Sequence, residues 1–246
     1  MLRSGLATFS TKLDIGEQFQ KIVVTPKYDG SLVNILYIPK QYPHFELLKE
    51  QFPDVYYPKY GLLFIGSKQT LIMEQSLRQR FNTATDMDFE AFLRQYAHYL
   101  KDKRITLHFE IMVKQAQKEL TVYYPNNFCK FIGCTTFTDT TRQFALPTPT
   151  DLRAVQQNQF STLVDCERYI KEQHQRLLTG DIFCEPEGFV LYVYDENGLK
   201  DIIKQKFVEY LAALNPTRHP DEYKRIWSNP LLIHRFQKCR YIKNVC

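Results

Sequence analysis

Residues 21–38 read K-I-V-V-T-P-K-Y-D-G-S-L-V-N-I-L-Y-I. Two runs of β-branched and apolar residues, 21–25 and 32–38, flank Lys27-Tyr28-Asp29-Gly30. Apolar alternation of this kind predicts two strands. Asp-Gly between two such runs is a hairpin-turn signal, because glycine adopts positive φ at no steric cost. In that plain reading Lys27 is a surface residue. The other reading makes Lys27 a nucleophile, held by the turn with its amine facing a pocket. To attack phosphorus it must be neutral, which burial or neighbouring cations bring about. K-x-D-G arises by chance in roughly one chain in twenty of this length, so alone it decides nothing.

Outward from this stretch, strand and helix signals do not alternate regularly. Strands are expected at 61–65, at 105–113 and 120–124 as two strands of one sheet, and at 131–137 and 188–194. Helical spacing marks 43–51, 74–81, 89–100 (led by Asp86 and Asp88 as N-cap candidates) and 163–178, closed by Gly180. The polar stretch 138–150 reads as a loop. Beyond a turn at 195–198 and a short segment to Lys206, the pattern is helical at 207–214, 220–227 and 231–241. This order predicts an α+β fold with antiparallel sheets flanked by helices, rather than a doubly wound parallel sheet.

The 246 residues are 44% hydrophobic and 24% charged, enough for a sizeable core and too ordinary for wholesale disorder. No apolar stretch approaches the roughly 20 residues of a membrane span. The opening M-L-R-S-G-L-A-T-F-S lacks a long apolar segment, so no secretory signal is expected. Cys129, Cys134, Cys166, Cys184, Cys239 and Cys246 include no C-x-x-C pair, which excludes a zinc-ribbon reading and predicts free thiols in a reducing compartment, cytoplasmic or nuclear. The net charge is +5. It resides in the last thirty residues, where Arg218, Lys224, Arg225, Arg235, Lys238, Arg240 and Lys243 face only Asp221 and Glu222. That segment is a candidate phosphate-contacting surface or a solvated helix face.

Further chemistry-bearing residues follow Lys27 along the chain. Lys204-Gln205-Lys206 puts two lysines on one face of an extended segment. Glu110, in Leu107-His108-Phe109-Glu110-Ile111, and Glu187, in Glu187-Gly188-Phe189-Val190, are carboxylates in strand contexts and candidates to support a divalent metal. Taken singly, each is more often an edge-strand surface group. His108 is read as structural, Cys184 as packing, and Tyr223, Trp227 and Phe236 as the apolar face of the terminal helices.

In order, K-x-D-G, F-E on a strand, E-G-x-V and K-x-K resemble motifs I, III, IV and V of the covalent nucleotidyltransferases, which comprise DNA ligases, RNA ligases and mRNA capping enzymes. Ser31-Leu32 after motif I, and Gly66-Ser67-Lys68, similar to an S-K-G motif with Gln69 in place of its glycine, resemble the single-strand RNA ligases of the bacteriophage and fungal tRNA-ligase kind. Tyr210 resembles the aromatic continuation of motif V. The resemblance implies a nucleotidyltransferase (ATP-grasp-like ligase) fold over residues 1–206, followed by a basic helical extension, 207–246, in place of an OB domain. It implies ATP with Mg²⁺ or Mn²⁺ and a lysyl-AMP intermediate on Lys27. Asp29 and Gly30 would shape the turn, Glu110 would contact ribose, and Glu187 would support the metal. Lys204 and Lys206 would hold phosphates, and Lys68 would serve the triphosphate or the RNA end. Phe131 or Phe137, with Val190 as a second candidate, would pack on adenine.

The implied reaction passes AMP to an RNA 5′-phosphate and seals it to a 3′-hydroxyl, with an end-healing kinase or phosphatase as a working partner and no membrane. The alternatives are a capping guanylyltransferase or DNA ligase lacking its OB domain, and a non-catalytic RNA-end-binding protein on a ligase fold.

Overall fold

A computed structural model describes residues 19–67, 75–101, 103–114, 120–138 and 140–236. Two compact units divide the chain. One comprises Gly30–Val113 and Asn126–Val155; the other takes the segment ending at Asp29, Lys114–Pro125, and the chain from Gln156 onward. The fold is α+β with antiparallel sheets throughout its named strand pairs.

The first unit is a six-stranded sheet in the order β3-β4-β2-β5-β6-β7. Its strands are β2 (Ser31–Ile38), β3 (Tyr56–Tyr57), β4 (Gly61–Gly66), β5 (Arg104–Met112), β6 (Phe128–Phe137) and β7 (Arg142–Ala145). Strand alternation gives the sheet two different faces. On one, Val33, Phe109 and Phe131 are buried with Phe81 of α2 (Gln75–Thr85) and Phe92 of α3 (Phe89–Gln95). Ring centroids 4.6–5.5 Å apart join Phe81, Phe92, Tyr96, Phe109 and Phe131 into one aromatic cluster, each pair adding about 0.5–1.5 kcal/mol beyond its burial. The other face packs Leu36, Ile38, Leu62 and Phe64 under α1 (Phe45–Gln51). Asp88 caps α3 as expected, accepting the Ala91 N–H at 2.7 Å.

The second unit holds the sheet β10-β9-β1-β8, from β1 (Lys21–Pro26), β8 (Asn158–Phe160), β9 (Gly188–Asp195) and β10 (Gly198–Lys206). Helices α4 (Leu163–Leu178), α5 (Val208–Leu214), α6 (Pro220–Ser228) and α7 (Pro230–Ile233) bury one set of apolar residues with it. Phe207, Tyr210, Ile226, Leu232 and Phe236 share this core with Ile22, Val24, Leu191 and Ile203, so the described part of the expected extension is built into it. Tyr223 and Trp227 pack against the same core. Of the basic terminal residues, Lys238, Arg240 and Lys243 lie outside the described residues.

Buried Glu209 on α5 ties the helices together. Its carboxylate accepts from His174 Nε2 and Arg225 Nη2, both at 2.7 Å, reaching α4 and α6. These partners hold its pKa below the usual carboxylate value despite burial, which acts in the opposite direction. His174 and Arg225 are partly exposed and can rehydrate once released. Glu209→Ala is therefore expected to cost about 2 kcal/mol, read as a fall in Tm of roughly 4–8 °C; an unchanged Tm would show that the clamp contributes nothing.

Several expectations are corrected. Lys27-Tyr28-Asp29-Gly30 is no hairpin: β1 pairs with β8 and β9, whereas β2 pairs with β4 and β5. Segment 120–124 is not a strand of the β5 sheet. It lies in the other unit, with a single bridge from Val122 to Phe236, because its N–H groups serve a side chain, as described below. The loop expected at 138–150 contains β7, and the helix expected from 231 ends at Ile233.

Candidate active site

The second unit brings Glu187 and Lys206 together with Lys27. The Lys27 backbone N–H donates to Gly188 O at 2.8 Å, extending the β1–β9 pairing by one step. Its Nζ lies 2.5 Å from Glu187 Oε1, and Lys206 Nζ approaches the same oxygen at 3.1 Å. Glu187 is buried, 1% exposed, which overturns the edge-strand reading for this residue. Burial holds its carboxyl above the usual range, against the pull of Lys27 and then Lys206.

Gly188 makes the convergence possible. Its φ is +131°, and a Cβ there would lie 2.1 Å from Gln205 O. Only glycine lets β10 run close enough, in register Lys206↔Gly188, to bring Lys206 onto Glu187. Lys204 pairs with Val190 two residues along, and both are half-buried. Alternation puts Lys204 on the Lys206 face, away from buried Ile203.

Asp29 acts on the backbone. Oδ2 accepts the N–H groups of Thr121 (2.6 Å) and Val122 (2.9 Å), while Oδ1 accepts from Tyr210 OH at 3.2 Å. The Tyr210 ring lies under Lys206 Nζ, 4.7 Å from its centroid. With both oxygens engaged, Asp29 shapes the chain behind Lys27. Its own N–H donates to Tyr124 OH at 2.9 Å, and Tyr124 OH donates to Glu185 Oε1 at 2.7 Å.

Tyr124 and Glu185 were not anticipated: Tyr124 fell in the misassigned strand. Glu-Pro-Glu at 185–187 was the available signal, since alternation places both acids on one face. Burial raises the Glu185 carboxyl to about 8; Glu187 adds to the rise, while Tyr124 opposes it. Because the folded pKa is the higher one, the native state holds a proton that the unfolded chain releases. Stability is then lost as pH rises from about 4.5 towards 8. Glu185→Gln keeps an acceptor for Tyr124 and should remove that loss. Urea denaturation at pH 5 and pH 8 should show the variant gaining on the parent at the higher pH by an amount on the order of a few kcal/mol; an equal dependence in both proteins would contradict it.

In the first unit, Glu110 is half-buried on β5 and accepts the Gly30 N–H through Oε1 at 3.0 Å. Gly30 does not need positive φ. Its requirement is close approach, because a Cβ would lie 2.6 Å from Ile111 O. Lys130 and Phe128 on β6 pair with Glu110 and Met112, so register puts them on the Glu110 face. Phe131 points the other way, into the aromatic core at 0% exposure, and is corrected as an adenine contact. Phe137 sits opposite Arg104, about 20 Å along β5 from Glu110 at 3.4 Å per residue.

His108 is structural: Nδ1 meets Asn34 Oδ1 and Nε2 meets Thr135 Oγ1, both at 2.7 Å. Burial, aided by Arg142, lowers its pKa to about 4, so the ring is neutral at pH 7. Cys184 is buried, donates to Gln173 O at 3.0 Å, and has its thiol pushed up to about 11, as a packing residue does. Lys68 lies outside the described residues.

The second oxygen of Glu187 is buried and has no hydrogen-bond partner. Among the described residues no group of three or more His, Cys, Asp or Glu could hold an ion. One buried carboxylate oxygen fits a magnesium-type ion, which takes one or two protein carboxylates and completes its shell with substrate phosphates and water. No helix among the described residues is long and apolar enough to cross a membrane.

No protein-family model matches the sequence, and no curated protein matches it. Solved structures similar to it include forms of Naegleria gruberi RNA ligase. A mutant with ATP and Mn has 12% identity and a TM-score of 0.47, over 83% of this chain and 52% of that one. Another mutant with AMP and Mn has 13% identity and 0.47, over 83% and 53%. The protein with PPi has 14% identity and 0.46, again over 83% and 53%. This chain thus spans about half the length of those structures. At these values no residue role passes from them to this chain.

Proposed function

We propose that the protein is an ATP-dependent RNA ligase working through a lysyl-AMP intermediate on Lys27. The observation that carries this reading is the convergence of Lys27 and Lys206 on one oxygen of buried Glu187. A turn-forming K-x-D-G would leave Lys27 in solvent; here it is held against a carboxylate beside a second lysine.

In the proposed step the Lys27 ammonium gives up a proton, for which Glu187 Oε1 at 2.5 Å is the nearest acceptor described. The amine then attacks the α-phosphorus of ATP. The N–P bond forms as the P–O bond to pyrophosphate breaks. Lys204 and Lys206 neutralise phosphate charge, and Tyr210 and Asp29 keep Lys206 and the Lys27 segment in place. Glu187 would support the divalent metal, which neutralises charge on the phosphate oxygens. AMP then passes to an RNA 5′-phosphate, and a 3′-hydroxyl displaces it.

The test is intact mass after incubation with ATP, or with GTP, and Mg²⁺ or Mn²⁺. A gain of one AMP supports the reading, and sealing of a 5′-phosphorylated RNA completes it. A gain of GMP instead would favour a capping guanylyltransferase. No gain from either nucleotide, in protein that carries no AMP from purification, would leave RNA-end binding without turnover.

A further inference from the structure

One residue of the basic terminal segment is turned inward. Arg235 follows α7 and is half-buried, next to fully buried Phe236. Its guanidinium donates from Nη1 to Asp181 O at 2.5 Å and from Nη2 to Cys184 O at 2.6 Å. Its backbone carbonyl accepts the Tyr123 N–H at 2.9 Å, and Phe236 bridges to Val122. Arg235 thus joins two segments of the second unit that lie far apart in sequence, one through its main chain and one through its side chain. A forked guanidinium reaches two carbonyls at once, which a single ammonium does not reproduce.

Each joined segment continues directly into a group that acts on the chain after Lys27. Tyr124 follows Tyr123, and Glu185 follows Cys184. Tyr124 OH donates to Glu185 Oε1 at 2.7 Å and accepts the Asp29 N–H at 2.9 Å. The backbone N–H of Glu187 supports the same Glu185 carboxyl group. These bonds close a ring. It runs from Lys27 along the chain to the Asp29 amide, through Tyr124 and Glu185 to the Glu187 backbone, and back from the Glu187 carboxylate to Lys27 Nζ. The ring sets the Lys27–Glu187 separation only while Tyr124 and Glu185 stay within hydrogen-bond reach of each other, and Arg235 ties together the residues that precede them.

We propose that Arg235 is a positioning residue for AMP transfer to Lys27, acting through Tyr124 and Glu185 on the Asp29 amide, and is not an RNA phosphate contact. This rests on the lysyl-AMP reading. It gives one terminal arginine a role inside the unit, in place of the surface role that its charge alone suggests.

The experiment is single-turnover transfer of AMP to Lys27 in the full chain over a range of ATP concentrations, with Tm recorded for each variant. Arg235→Ala should slow the maximal rate about 100-fold, the scale for a displacement near 1 Å at a reacting group, with half-saturating ATP within about threefold of the parent. Tyr124→Phe removes only the hydroxyl and should also lower the rate without changing half-saturation. The double variant should be no slower than the slower single variant, within about threefold, because both substitutions break one chain of contacts. Glu185→Gln keeps an oxygen for Tyr124 and should retain more of the rate than Glu185→Leu. A merely structural role would lower Tm and leave the rate of the folded protein unchanged. Fluorescence polarisation of a labelled, 5′-phosphorylated single-stranded RNA over a salt series should give Arg235→Ala the parent's slope of log K against log salt, whereas loss of one phosphate contact reduces that slope by about 0.7.

Parent-like transfer in folded Arg235→Ala overturns the assignment, as do additive losses in the double variant or a slope reduced by about 0.7. Should Arg235→Ala not fold, Tyr124→Phe carries the test, and parent-like transfer in it overturns the proposal. A parent chain that takes no AMP ends the lysyl-AMP reading and this inference with it. A parent that takes AMP beside unaffected variants ends this inference alone.

Discussion

Lys27→Ala protein incubated with ATP and a divalent metal is expected to keep its mass, while the parent chain gains one AMP. In the proposed step the Lys27 amine is the group that bonds to phosphorus, so its loss would be all-or-none for the covalent step. Lys27→Arg should fail as completely, because a guanidinium keeps its proton throughout the accessible pH range. That pairing separates charge from nucleophilicity: arginine can still face Glu187, preserving the ion pair seen at 2.5 Å, and still cannot attack. An unchanged Tm for Lys27→Arg confirms that the comparison is made on folded protein. An AMP adduct on either variant would move the nucleophile to another residue.

Gly188→Ala is expected to have the second-largest effect, on stability and activity together. The methyl group would arrive 2.1 Å from Gln205 O and 2.9 Å from Lys206 Cα, with φ at +131°. Backbone strain and the clash each cost about 1–3 kcal/mol, so denaturant unfolding should show a loss of roughly 3–5 kcal/mol. Any relief must push β10 away from β9 at the Lys206↔Gly188 pair, the contact that puts Lys206 on Glu187. A displacement near 1 Å at a reacting site costs on the order of 100-fold in rate. Single-turnover AMP transfer to Lys27 should fall by at least that factor in the protein that remains folded. Parent-like transfer would show that the Lys206–Glu187 contact does not matter to the step.

The local elements were legible where one sequence signal had no competitor. The strands around 21–26 and 31–38, Asp88 as the cap of α3, and α4 closed by Gly180 all follow from alternation, capping and apolar spacing. The errors arose where a local signal was outvoted at long range. Asp-Gly between two β-runs is a hairpin by every short-range rule, yet Asp29 spends its carboxylate on the N–H groups of Thr121 and Val122, more than ninety residues away. Those same bonds keep 120–124 out of the β5 sheet, where its alternation alone would put it. Phe131 and Phe137 looked equivalent on one strand; a register shift at His108/Phe109 and the face that α2 and α3 cover send Phe131 into the core.

Residue type and order along the chain made Lys27, Glu110, Glu187, Lys204 and Lys206 candidates, through the resemblance of their motifs to those of the covalent nucleotidyltransferases. Three-dimensional packing alone decided what each one touches. It buried Glu187 between two lysines and turned Asp29 into a backbone clamp through Tyr124, Tyr210 and the 121–122 amides. The physical reason is that periodicity reports which face of its own element a residue occupies, whereas a carboxylate's partners and a strand's neighbours are set by pairings between segments far apart in the chain.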